Sequence, residues 1–146
     1  MCWSFEKVDM NIFAYGTLMI PSVMHAVTGR HFRLQKASLR DYARFRVKGE
    51  SYPGIIPVTD AITEGIIYFN VNEFSLEQLD TFEGDLYERT WVRVETEEKE
   101  MQNAQAYVIQ SKYLGYLSLE AWDVKEFIKK DLEMFLMTYS GFSKNV

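Results

Sequence analysis

Apolar and polar positions along the chain repeat with two different periods, and these periods predict which segments form strands and which form helices. The first apolar run covers residues 12–14, so residues 1–10 are predicted to be an N-terminal extension. Residues 44–48 and 90–95 alternate as half-buried strands do, and residues 104–110 are predicted to pair back on the second of them. The pattern therefore predicts a domain that is rich in short strands.

Glycine and proline interrupt these runs and predict where the backbone turns. Residues 52–54, Tyr-Pro-Gly, predict a turn. Pro57 predicts that its segment lies at a sheet edge or a strand end, because proline has no N–H to donate to a neighbouring strand. Gly65, inside the apolar run 64–69, predicts a bulge or a bend.

Helical spacing predicts a helix after the first strand and another at the end of the chain. Pro21 can open the first helix, and Gly29 can end it. The last helix is predicted to begin with Ser118 as N-cap and to stop at Gly141, with apolar residues at i, i+3 and i+4 between them.

A helix in the middle of the chain is predicted to point a carboxylate at its own apolar side. Ser75 and Gln78 have the spacing of a capping box at its start, and Gly84 supplies the stop. At about 100° per residue, Glu83 falls inside the apolar stripe that Leu79 helps to form. An acid in this position requires an explanation.

Composition narrows the class of protein. The chain has 146 residues, 47% hydrophobic and 25% charged, which is ordinary for a globular domain, predicted here as one domain over residues 11–146. The 16 Lys and Arg residues against 21 Asp and Glu residues give a net charge of −5, which argues against a nucleic-acid partner. Cys2 is the only cysteine, and we see no signal peptide and no apolar run long enough for a membrane span. We therefore expect a cytoplasmic protein without a membrane partner.

Two segments carry candidate chemistry, and each allows two interpretations. Glu83 is either a structural acid, satisfied by a neighbour such as Arg89, or a general base whose pKa is raised by an apolar surround. The loop of residues 15–18, Tyr-Gly-Thr-Leu, either presents its N–H groups to an anion such as a substrate carboxylate or is a glycine turn beside a core tyrosine.

Other candidates give weaker signals. His25 and His31 lack the spacing of metal ligands and are predicted to lie on the surface. No serine has a nucleophile-elbow sequence around it. The basic run from Arg40 to Lys48 is predicted to form a solvated strand face in this acidic protein.

Three longer segments follow one another in a specific order: FAYGTLM at residues 13–19, VKGESYPGIIPV at residues 47–58 and LDTFEGDLYERTWVRV at residues 79–94. Together they resemble the gamma-glutamylcyclotransferase-like family, and most closely its AIG2-like branch, which includes the gamma-glutamylamine cyclotransferases. The resemblance implies an α+β fold, in which a small mixed β-barrel is flanked by helices.

The resemblance also implies a reaction. Enzymes of this family cleave a γ-glutamyl amide by internal cyclisation, releasing 5-oxoproline and a free amine, with no metal and no cofactor. Glu83 would be the general acid/base, and the loop would hold the α-carboxylate of a small-molecule γ-glutamyl substrate. The implied substrate-binding residues are Tyr15, Gly16, Thr17 and Leu18 in the loop, and Tyr52, Pro53, Gly54 and Tyr87 along the cleft.

Two functions from different classes stay open at this point. The first is a cyclotransferase, whose leaving group could come from glutathione, a γ-glutamyl dipeptide or a γ-glutamyl-lysine isopeptide. The second is a binding module that captures a small carboxylate-bearing metabolite in the same pocket without turning it over. The sequence makes no prediction of the oligomeric state.

Overall fold

The structure is a computed structural model that describes the backbone of residues 9–144 and the side chains of residues 9–138. Cys2 and nearly all of the predicted extension lie outside the described residues, and the first strand begins at Met10. The described elements, in chain order, are β1 (Met10–Ala14), a short 3-10 helix (Thr17–Met19), α1 (Pro21–Thr28), β2 (Leu34–Arg46), β3 (Pro53–Val71), α2 (Glu73–Glu83), β4 (Tyr87–Thr96), β5 (Met101–Ile109), a second 3-10 helix (Ser111–Tyr116), α3 (Val124–Lys130) and α4 (Leu132–Lys144).

The five strands close into a barrel in the order β1-β3-β2-β4-β5. β1 completes the barrel, because it pairs antiparallel with β3 on one side and parallel with β5, through Ile12 and Gln105, on the other. The remaining neighbours are antiparallel. The closed mixed barrel with its flanking helices confirms the α+β fold that the resemblance implies.

Two apolar clusters hold the described residues together. One consists of strand residues such as Phe13, Ile55 and Ile67 together with Tyr15, and it fills the barrel. The other joins the outside of the barrel to the helices, and it contains Ile12 and Leu79. Because successive side chains of a strand point to opposite faces, β1 contributes to both clusters.

Helix α1 confirms its sequence prediction, whereas α2 begins differently. Gly29 ends α1 with φ +73°, in the left-handed region. The N-cap of α2 is Asn72, immediately after β3, so the predicted capping box at Ser75 and Gln78 is wrong. Ser75 lies inside the first turn of α2 and is fully buried. The predicted stop at Gly84 is confirmed.

The C-terminal region contains two helices where the sequence predicts one. Ser118 is not an N-cap, because its hydroxyl donates to the carbonyl of Arg46 at 2.7 Å and the chain stays extended or irregular as far as Asp123. Asp131, with φ −121°, separates α3 from α4. Helix α4 continues to Lys144, so Gly141 lies within it and does not end it.

The long strand β3 also differs from expectation. Pro53 and Gly54 begin this strand and do not form a turn. Pro57 lies within β3, where the pairing with β2 shifts its register between Arg40 and Tyr42. Gly65 is in regular register and forms no bulge; its hydrogen faces the carbonyl oxygen of Ala14, where a side chain would collide.

Within residues 9–144, none of the helices is both long enough and apolar enough to cross a membrane.

We predict that Gly65→Ala destabilises the protein by about 1–3 kcal/mol, because the new methyl group would press on the Ala14 carbonyl and on the ring of Phe13. Urea unfolding would measure the loss. Gly115→Ala is the matched control, since nothing lies within 4 Å of its added Cβ. Equal stabilities of the two variants would contradict the close approach of β3 to β1.

Candidate active site

A cavity of about 170 Å³ opens where the end of β1 meets the C-terminus of α2. Most of its surface is apolar or aromatic. Its walls are residues 12–18, the Tyr52–Pro53 pair, the Phe82–Glu83 pair, Tyr87 of β4, Tyr107 of β5 and Phe135 of α4.

The loop of residues 15–18 is fixed through its carbonyl groups. A guanidinium N–H of Arg44 donates to the Tyr15 carbonyl at 2.7 Å, and the Tyr68 hydroxyl donates to the Leu18 carbonyl at 2.7 Å. The carbonyls of Gly16 and Thr17 accept from the next backbone turn, at 2.9 and 3.1 Å. All four carbonyls are therefore occupied by donors from the protein itself.

The N–H groups of the same loop, in contrast to its carbonyls, lack backbone partners among the described residues. Those of Gly16, Thr17 and Leu18 donate to no backbone carbonyl within the described residues, although Thr17 and Leu18 are only 6% and 4% exposed. Buried N–H groups nearly always have a partner. A row of them on a cavity wall is suited to an anionic ligand such as a carboxylate.

Gly16 also explains why the loop can lie so close to the opposite wall. A Cβ at this position would stand 2.9 Å from Cγ of Pro53. The absence of a side chain lets the backbone of the loop pack directly against the start of β3.

Glu83 is the last residue of α2, and its partly buried side chain lines the cavity. It makes no hydrogen bond or ion pair with any residue in the described part of the chain. A structural role for Glu83 predicted Arg89 as its partner, but Arg89 binds Asp80. Its Nε lies 2.9 Å from one oxygen of the Asp80 carboxylate and its Nη2 lies 3.1 Å from the other. Burial, and secondarily the charge of Asp80, raises the pKa of Glu83 from 4.5 to about 8.

The tyrosines around Glu83 are held in fixed orientations. The Tyr15 hydroxyl donates to the Tyr107 carbonyl at 2.5 Å, and the Tyr87 hydroxyl donates to the Pro53 carbonyl at 2.7 Å. Burial is the main cause that raises the pKa of Tyr15, Tyr87 and Tyr107 above the usual 10. These phenols are consequently neutral at physiological pH and shape the cavity without adding charge.

The structure brings all but one of the sequence-predicted site residues to this cavity. The exception is Gly54, which is not part of the wall. Its hydrogen points at the side chain of Ile109, and a methyl group there would collide with that side chain. Gly54 therefore allows β3 and β5 to pack closely and does not line the cleft.

Sequence reasoning missed six residues of the wall and one that supports it. Three of the six, Ile12, Phe13 and Ala14, were predicted only as part of the first strand. Tyr107 lies in a strand whose alternation gives no sign of a pocket, and Phe82 and Phe135 follow the spacing of ordinary core residues. Arg44 was assigned to a solvated face, but it donates to the carbonyls of Tyr15 and Glu64 and lies 5.5 Å from the ring of Trp122.

The two histidines behave as predicted for surface residues. His25 and His31 are both exposed, and their rings stack with centroids 4.3 Å apart.

Known proteins share this architecture. The family described as "Gamma-glutamyl cyclotransferase, AIG2-like" matches residues 12–124, and the chain belongs to this family. AIG2-like protein B of Arabidopsis thaliana is 30% identical over 131 residues, covering 89% of this chain and 76% of that protein. A solution structure of another Arabidopsis thaliana protein has a TM-score of 0.71 at 26% identity, covering 95% of this chain and 84% of the other. A structure described as gamma-glutamyl cyclotransferase shares the fold, with a TM-score of 0.62 at 20% identity over 70% of this chain and 68% of its own.

The raised pKa of Glu83 predicts a pH-dependent cost to stability. Because the folded protein holds this proton up to about pH 8 and the unfolded chain releases it near 4.5, stability falls as the pH rises between these values. Glu83→Gln removes this dependence. At roughly 1.4 kcal/mol per pH unit between the two pKa values, we expect the variant to gain about 2–4 kcal/mol over the wild type between pH 5 and pH 9.

Urea unfolding of both proteins at the two pH values would measure this gain. Glu77→Gln is the matched control, because Glu77 is exposed on the same helix and its replacement should leave the pH dependence unchanged. If Glu83→Gln and the wild type lost stability in parallel between pH 5 and pH 9, the burial of the Glu83 carboxyl would be refuted.

Proposed function

We propose that the protein is a γ-glutamyl cyclotransferase that converts a γ-glutamyl amide into 5-oxoproline and a free amine. One observation carries this proposal: a row of N–H groups that donate to no backbone carbonyl of the described residues lines the same small cavity as a carboxyl group whose pKa is raised to about 8. The first feature suits the α-carboxylate of a γ-glutamyl group. The second suits the proton transfers that the reaction needs.

In the proposed complex, the N–H groups of Gly16, Thr17 and Leu18 hold the α-carboxylate. Fixing this end of the substrate places its α-ammonium group near Glu83 and folds the chain so that the nitrogen approaches the γ-carbonyl carbon. The reacting atoms already belong to one molecule, so fixing the folded conformer supplies much of the acceleration.

Glu83 would manage the proton. Its carboxylate takes a proton from the α-ammonium, and the freed amine attacks the γ-carbonyl carbon to form the new C–N bond. The tetrahedral intermediate collapses as the old amide C–N bond breaks, and Glu83 returns its proton to the departing amine. The pKa of Glu83, about 8, is much closer to that of an amine than the pKa of an exposed glutamate is, so the transfer costs less free energy than it would with an ordinary carboxylate.

The surrounding side chains would exclude water and define the shape of the bound substrate. Tyr52, Pro53 and Tyr87 close one side, and the Tyr87 hydroxyl is already committed to the Pro53 carbonyl. Phe82 and Phe135 close another side, with their ring centroids 6.0 Å apart. This arrangement supports a compact γ-glutamyl group in the cavity.

The test is release of 5-oxoproline from a panel of γ-glutamyl amines, γ-glutamyl dipeptides, glutathione and γ-glutamyl-lysine. We expect the wild type to form product and Glu83→Gln to lose at least about 10²-fold in kcat, because it can neither accept nor return a proton. Glu77→Gln, on the exposed face of the same helix, should retain wild-type turnover.

Ligand-induced shifts in Tm separate this proposal from the alternative of a binding module. The proposed enzyme predicts that Glu83→Gln still binds γ-glutamyl compounds while failing to turn them over. Binding by both proteins without product from either would favour the binding module. Equal turnover by both would remove Glu83 from the mechanism.

A further inference from the structure

Asp80 lies one helical turn before Glu83 on α2, and its carboxylate is held by two other elements of the fold. Arg89 of β4 donates to both oxygens, at 2.9 and 3.1 Å, and the Tyr107 hydroxyl of β5 donates to Oδ1 at 2.6 Å. The Arg89 guanidinium is itself braced by the side-chain oxygen of Gln105 at 2.6 Å. These three donors hold the carboxylate in one orientation.

Asp80 and the side chains that bind it line a second cavity, beside the one that contains Glu83. This second cavity is more polar, lies on the outer side of the barrel and includes Asp80, Arg89 and Gln105 in its wall. Tyr87 and Tyr107 line both this outer cavity and the one that contains Glu83. Tyr107 thus contacts the candidate active site while its hydroxyl holds Asp80.

Among the described residues, those that line the cavity with Glu83 from the other packed elements carry no charge. The titratable ones are Tyr15 after β1, Tyr52 before β3, Tyr87 of β4 and Tyr107 of β5, and burial raises the pKa of each. From α4 the wall receives Phe135, which does not titrate. Of the described side chains, Asp80 is therefore the charge that acts on Glu83.

We propose that Asp80 is a positioning residue: Arg89 and Tyr107 hold its carboxylate one helical turn from Glu83, where its charge acts on the Glu83 carboxyl group, while Arg89 limits this effect. The proposal deepens the cyclotransferase mechanism and rests on it for its catalytic meaning. A second negative charge one turn away opposes the loss of the proton from Glu83 and so adds to the effect of burial.

Asp80 and Arg89 should act in opposite directions, which distinguishes electrostatics from structural support. Asp80→Asn removes the repulsion, so the pKa of Glu83 should fall by about half to one pH unit, yet stay well above 4.5 because the burial persists. Arg89→Gln leaves Asp80 charged and bound by Tyr107 but no longer neutralised, so the pKa of Glu83 should rise. If Asp80 and Arg89 only supported the structure, their removal would not shift the pKa of Glu83 in opposite directions.

The first measurement is a ¹³C NMR titration of protein labelled at the glutamate side-chain carboxyl carbons. Glu83 is assigned by the signal that Glu83→Gln lacks. We expect its midpoint to move to lower pH in Asp80→Asn, to higher pH in Arg89→Gln and not at all in Glu77→Gln, the matched removal of an exposed charge from the same helix. Unchanged midpoints, or shifts of the same sign, in Asp80→Asn and Arg89→Gln would overturn the proposal.

This titration needs no turnover, so the inference about Asp80 can succeed or fail separately from the proposed reaction. If Asp80→Asn does not fold, Arg89→Gln decides the outcome by the sign of its shift. In the active enzyme, the acid limb of kcat/KM against pH should move with the NMR midpoint in each variant. A profile that stays fixed while the midpoint moves would show that Glu83 is not the group that limits the rate.

Discussion

The parallel pairing of β1 with β5 is the contact on which the rest of the structure depends. Without β1 the other four strands form an open sheet, with β3 and β5 as its edges. The pairing of Ile12 with Gln105 closes this sheet and brings the end of β1 beside β5, one arm of the β4–β5 hairpin. The loop after β1 and the tyrosines of that hairpin therefore meet because the barrel closes, and the cavity is a product of the closure.

A partly buried acid beside this loop is costly, because transfer of a carboxyl group from water into an apolar site is unfavourable unless partners compensate. The fold does not compensate Glu83 directly. It satisfies the groups around Glu83 instead: Asp80 has three donors, and the hydroxyls of Tyr15 and Tyr87 have acceptors. Glu83 is thereby left as the one carboxyl group among the described residues that line the cavity, and no described side chain binds it.

The features that could be predicted from the sequence are those that local chemistry determines. Gly29 and Gly84 end helices because their backbones enter the left-handed region, and the apolar stripe of α2 places Glu83 on the buried side. The errors arise where distant parts of the chain decide. The bond from Ser118 to the Arg46 carbonyl, 72 residues away, replaces a helix cap, and local spacing cannot reveal it. Arg44 was misjudged for the same reason, since its acceptors lie on two other segments.

One wall of the cavity comes from a part of the chain that lies beyond the family match. The match ends at residue 124, whereas Phe135 is carried by α4, which is separated from α3 by the irregular residue Asp131. The barrel, the loop and Glu83 all belong to the part of the chain before α4. Under the proposed function, a change in α4 would alter the size of the molecule that the cavity accepts while leaving in the chain every group proposed to act on it. Selectivity and chemistry would then be encoded in different stretches of the polypeptide.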